Sequence, residues 1–142
     1  MPNKSPRHSM QAVFCALLVF TLGACSEQPV SDLTAPAAME AINSGDAKAW
    51  DAVRSKKVRW AGSVLKVQMI HGDEFVKEYF LRFDPGFGAG AVAEVQINPS
   101  QAEDFKAGQT ITVTGIVLSH EKEKQTVIVK LGSGKVEAAA KK

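Results

Sequence analysis

The chain has 142 residues, 45% hydrophobic and 23% charged, which is enough for one domain and fits no disordered or fibrous class. The formal net charge is +2, but Lys4 and Arg7 fall in the first 24 residues, which carry no acid. Without these two, the 17 basic residues become 15, equal to the 15 acidic ones. That neutral remainder has no excess charge to draw it onto nucleic acid or anionic lipid.

Lys4, Arg7 and His8 form a positive start, and Ala12 to Leu22 is an apolar run of 11 residues. Such a run suits the core of a signal peptide and falls short of the ~20 residues that span a bilayer. Small residues at Gly23 and Ala24 fit a signal-peptidase site. Leu22, Gly23, Ala24 and Cys25 together resemble the lipobox of bacterial lipoproteins. That resemblance implies diacylglycerol on the Cys25 thiol, cleavage before it and acylation of the new amino group, which anchors the chain stably. The alternative is a plain signal peptide with a chance cysteine. Ser26, in place of aspartate, implies export to the outer membrane, facing the periplasm. Cys15 would be removed with the leader and Cys25 capped, leaving no disulfide and no thiol metal site. The expected division is a signal peptide over 1–24, a lipidated cysteine and polar tether over 25–36, a folded domain over 37–136 and a disordered tail over 137–142.

Residues 37–54 read as helical in two pieces, interrupted at Asn43-Ser44-Gly45-Asp46, with Ser44 or Asp46 as the second cap. A long first strand follows. Val58, Trp60, Gly62 and Val64 hold one phase, then Leu65, Val67 and Met69 the other, which requires a bulge or sharp bend. After a turn at His71-Gly72-Asp73, the second strand alternates through Phe75, Tyr79, Leu81 and Phe83. A glycine-rich loop over 84–90 leads to the third strand, with Ala91, Ala93, Val95 and Ile97 inward. Asn98-Pro99 signals a short helix with Ala102 and Phe105 on its apolar side, ended by Gly108. The fourth strand turns Ile111, Val113, Gly115 and Val117 inward, a charged turn is expected over 120–124, and the fifth strand carries Val127, Val129 and Leu131.

Residues 58–65 and 111–118 share a pattern, with glycine and flanking apolar residues in register. Glycine inside a strand suits a tight bend in a small barrel. Three strands, a short helix and two more strands, with a long bent first strand, is the order of an all-β, five-stranded OB-fold barrel preceded by an N-terminal helix. A sandwich is the competing architecture, and the intervening helix favours the barrel. Residues 40–136 resemble the bacterial OB domains called tRNA-anticodon-binding-like. The resemblance rests on Asn43 and Trp50 in the helix, on Val58-Arg59-Trp60-Ala61-Gly62-Ser63-Val64, and on Phe105-Lys106-Ala107-Gly108-Gln109 leading into Val113-Thr114-Gly115-Ile116-Val117. It implies a fold more than a task.

OB-folds bind on the outer face of strands two and three and in the loops after strands one and four. Here the outward residues are Val76, Glu78, Phe80 and Arg82, then Val92, Glu94 and Gln96. A single-strand binder wants several stacking aromatics in a basic groove. One ring, one guanidinium and two carboxylates disfavour nucleic acid. A protein in the cell envelope is the expected partner, with a glycan, oligonucleotide or small anion meeting Phe80, Arg82 and Gln96 as the alternative; Glu78 and Glu94 flank these. The run Arg54, Lys56, Lys57, Arg59 has the charge to touch lipid phosphates or an acidic partner, but at a helix end it reads first as solvated charge complementing the helix dipole. Gly86, Gly88 and Gly90 precede a strand, so no dinucleotide fingerprint is present. Gly132-Ser133-Gly134-Lys135 fails as a P-loop, with Val129 and Val136 at required positions. His71 and His120, each in an expected turn, lack metal-ligand spacing. No cofactor, metal or catalytic constellation is expected, and so no enzyme.

Overall fold

The computed structural model describes residues 26–71 and 76–139. Two helices, α1 (Ala35–Ser44) and α2 (Ala47–Val53), precede five strands: β1 (Lys57–His71), β2 (Lys77–Asp84), β3 (Ala91–Ile97), β4 (Thr110–Glu123) and β5 (Thr126–Ala138). The strands close into a barrel in the order β1-β2-β3-β5-β4, antiparallel except for the β3–β5 pair. This is the OB arrangement that the strand order implies.

Local chemistry sets the helix limits. Thr34 caps α1 by accepting a bond from the Ala37 amide, and Gly45 ends it in the left-handed region at φ 66°. Asp46 then caps α2, accepting from the Lys48 amide at 3.0 Å. Ala35, Ala38, Met39 and Val53 join the barrel core with Val58, Trp60, Val64, Leu81, Phe83, Val113 and Val129. Leu81 and Phe83 are fully buried, each worth about 2–3 kcal/mol of transfer free energy.

The phase switch in β1 is real: its register to β2 shifts between Val64 and Lys66. The two segments of shared pattern pair with each other, Gly62 opposite Ile111 and Gly115 opposite Val58. A Cβ at Gly62 would strike the carbonyl of Asp84, so the close approach of β1 to the end of β2 needs glycine there.

Four expectations are corrected. The stretch 26–36 is no free tether: Ser31 donates from its amide and its hydroxyl to the Lys57 carbonyl, both at 2.8 Å. The indole of Trp60 donates to the Leu33 carbonyl at 2.8 Å. Pro36 lies in the first turn of α1. The helix before β4 shrinks to a 3₁₀ turn, Pro99–Gln101, capped by Asn98, because so short a polar segment gains too few bonds to sustain an α-helix. His120 to Glu123 are strand, paired with Thr126 to Val129, which places the hairpin turn at Lys124-Gln125. At the other end, Glu137 and Ala138 pair with Thr112 and Ile111, so the tail is strand for two residues longer than expected.

Candidate functional site

The outward residues of β2 and β3 sit where alternation puts them, and the register extends the wall on both sides. Lys66, Gln68 and Ile70 of β1 stand opposite Arg82, Phe80 and Glu78. Phe80 and Arg82 in turn face Gln96 and Glu94. Beyond β3, Val92 and Glu94 align with Ile128 and Lys130 of β5, and Ile128 with Glu121 of β4. The additional β1 residues were readable from the phase that follows the bulge. Glu121 and Glu123 were hidden because five consecutive polar residues read as a turn.

Arg82 organises this wall. Its Nε donates to Glu94 at 2.7 Å and its Nη2 to Glu123 at 2.9 Å. The Arg82 side chain is 14% exposed, and Glu94 as a residue is 5% exposed. The sequence places Glu94 among solvated residues of the wall, but the guanidinium covers it. Burial opposes the charge of Arg82, and the hydrogen bonds to Glu94 and Glu123 outweigh it, raising the guanidinium pKa above its ordinary value. The bond from Arg82 holds the Glu123 carboxyl below the usual carboxylate range. Lys130 pairs with Glu121 at 2.9 Å. Arg82 is therefore committed to two carboxylates, not presented to an anion.

Two clefts flank this ion cluster. One of about 300 Å³ lies between Leu65, Lys66, Arg82, Val92, Glu123, Lys124 and Thr126. The other, of about 160 Å³, is lined by Phe80, Glu94, Gln96, Leu118, Lys130 and the 131–134 segment. Around them stand exposed apolar side chains: Leu65, Ile70, Val76 and Leu118 are each more than two-fifths exposed. Phe80 is half-buried and Gln96 exposed, and the side-chain Oε1 of Gln68 is buried without a hydrogen-bond partner. Glu78 lies at the edge of the wall, opposite Ile70. The arrangement is an ion-paired polar centre with exposed apolar side chains on the same wall.

The other candidates disperse. His71 ends β1, and its side chain is outside the described residues. His120 lies in β4, not in a turn, with its ring edge-on to Trp50 at 4.5 Å between centroids. The glycines at 86, 88 and 90 all take positive φ in the β2–β3 loop. Gly132 to Lys135 belong to β5. Leu22, Gly23, Ala24 and Cys25 lie outside the described residues, and no described helix is long and apolar enough to cross a membrane.

No family model matches the chain, and no curated protein matches it. Among solved structures it is similar to a protein of Klebsiella pneumoniae subsp. pneumoniae MGH 78578 described as a candidate nucleic acid-binding lipoprotein. The two share 18% identity at a TM-score of 0.50, over 64% of this chain and 77% of the other. At that identity the likeness concerns the fold alone.

Proposed function

We propose that this protein is a lipid-anchored binding module of the cell envelope, akin to the tRNA-anticodon-binding-like OB domains, whose β1–β2–β3–β5 wall engages a protein partner. The lipobox at Leu22 to Cys25 supports the anchor on Cys25, and Ser26 supports the outer membrane, facing the periplasm. The solved relative's description as a lipoprotein is in keeping with it. The observation that carries the partner class is the set of exposed Leu65, Ile70, Val76 and Leu118 on the wall where Arg82 is engaged by two carboxylates. Exposed apolar side chains beside an arginine already engaged by carboxylates mark a protein contact more than an anion site. No reaction is assigned.

The relative's description as nucleic acid-binding makes an oligonucleotide the second reading. Against it, the described part of this wall offers one ring, Phe80, and its arginine is engaged by carboxylates. A photo-crosslinking side chain at Gln96 of the lipidated protein in intact cells tests both readings. One dominant protein adduct, abolished by Phe80→Asp and insensitive to salt in the purified pair, is expected. An adduct that survives Phe80→Asp places the contact elsewhere. Oligonucleotide binding that weakens steeply with salt would establish the second reading instead.

A further inference from the structure

The neutrality of the whole domain hides an uneven distribution of charge. The first half of β1 and the first half of β4 pair along a seam, which the ring of strands puts across the barrel from β3. On the outer side of that seam, Arg59, Thr114 and Lys135 stand abreast on β1, β4 and β5. Arg59 and Lys135 are 60% and 76% exposed. With Arg54, Lys56 and Lys57 they make five cations. Their partners are three carboxylates: Asp51 on Arg54, Glu27 on Lys57, and Glu137 shared by Arg59 and Lys135. Asp32 also lines the cleft that Arg59 borders, so the excess over these four carboxylates is one positive charge. Between the long side chains the wall is low, formed by Ala61, Thr112, Thr114 and Ile116.

The chain just after Cys25 is stitched to the edge of this wall. Glu27 pairs with Lys57, Gln28 donates to the Ser55 carbonyl at 2.9 Å, and Ser31 bonds to the backbone of Lys57. The Lys57 ammonium, and more weakly Lys135, holds the Glu27 carboxyl below the usual carboxylate range. One residue, Ser26, separates Cys25 from this stitching. At no more than ~3.6 Å per residue, Cys25 stays within ~11 Å of Gln28. That reach is less than the ~13 Å radius of gyration of a 100-residue domain, too short for the body to roll over on its anchor.

We propose that the β1–β4–β5 wall bearing Arg59, Thr114 and Lys135 lies against the membrane, its cations meeting the phosphates of anionic lipid headgroups, and that the Phe80 wall is thereby turned away from the bilayer. The inference rests on the lipid anchor proposed above. Anchor and charge act together: the lipid fixes the distance, and cations near an anionic surface select which side faces it.

The test uses the lipidated protein in phosphatidylcholine–phosphatidylglycerol vesicles that carry a nitroxide-headgroup lipid. Because acylation caps Cys25, a thiol fluorophore can be placed singly by Thr114→Cys or by Gln96→Cys. Quenching at 114 several-fold stronger than at 96 is expected, and the ratio should fall in Arg59→Glu/Lys135→Glu. Equal quenching at the two positions, or stronger quenching at 96, overturns the orientation while leaving the anchor standing. A ratio that the charge reversals leave unchanged overturns headgroup phosphate as the contact. Protein that fails to float with the vesicles removes the anchor, and the orientation with it.

Discussion

Arg82 and Arg59 sit on opposite walls of one barrel and do opposite things. Arg82 is 14% exposed and makes two bonds shorter than 3.0 Å to Glu94 and Glu123. Arg59 is 60% exposed and reaches Glu137 at 3.4 Å. The difference lies in the neighbours: Arg82 faces a carboxylate directly across the strand pair and another on the β4–β5 hairpin. Arg59 faces threonine across the seam. A cation on a binding wall is thus no measure of what that wall will attract. The wall with the better-formed ion pairs is the one less able to hold an anion.

The largest effect should come from breaking the inner pair. Arg82→Ala leaves Glu94 buried without its partner and should cost about 3 kcal/mol. Arg59→Ala removes an exposed pair and should cost about 0.5 kcal/mol or less. Urea unfolding of residues 26–142 compares them as midpoints at unchanged m. Equal losses would erase the distinction between the walls. The same reasoning disqualifies Arg82→Ala as a probe of anion binding, since it damages the fold first. Lys66→Ala is the cleaner probe, because Lys66 lines the cleft beside Arg82 and is exposed.

Removing the strap should come next. Deleting residues 26–33 takes away the acceptor for the Trp60 indole, which is 4% exposed as a residue, and the packing of Leu33 on the core. A buried donor left unpaired costs about 1–3 kcal/mol. The truncated domain should therefore unfold at clearly lower urea. Unchanged stability would mean that the strap is incidental, and the short leash would lose its basis.

Much of the barrel was legible because alternation carries it. Ala91, Ala93, Val95 and Ile97 point inward as their period of two requires, and the β1 bulge follows from the phase switch at Val64-Leu65. The strap was not legible. Its bonds are made by backbone carbonyls of Lys57 and Leu33 and by residues 26 and more positions apart, and a polar, proline-containing stretch carries no periodic sign of such pairing. The hairpin was misplaced for a related reason. His120-Glu121-Lys122-Glu123 has no apolar phase, yet its strand is held by β5 and its charges by Arg82 and Lys130. In the wall, alternation gave the direction of Glu94 correctly and its exposure wrongly, because burial there depends on Arg82 across the strand pair.

The smallest effect separates the walls by pH. Glu123 and Glu137 both have folded pKa values below the ordinary 4.5, the first through its bond from Arg82 and the second chiefly through its bond from Lys135. A depressed carboxylate binds fewer protons folded than unfolded between the two values. Its stabilisation is therefore complete above about pH 4.5 and is lost as the pH falls through the folded value. Arg82→Ala should flatten the part of this acid slope that belongs to Glu123. Arg59→Ala should leave the Glu137 part nearly intact, because Lys135 remains. Stability measured from about pH 6 down to about pH 3 for the two variants spans the carboxylate range and reads the difference. A steeper loss of slope in Arg59→Ala than in Arg82→Ala would show that the guanidinium coupled to its carboxylate is Arg59, reversing the assignment of the closed and the open wall.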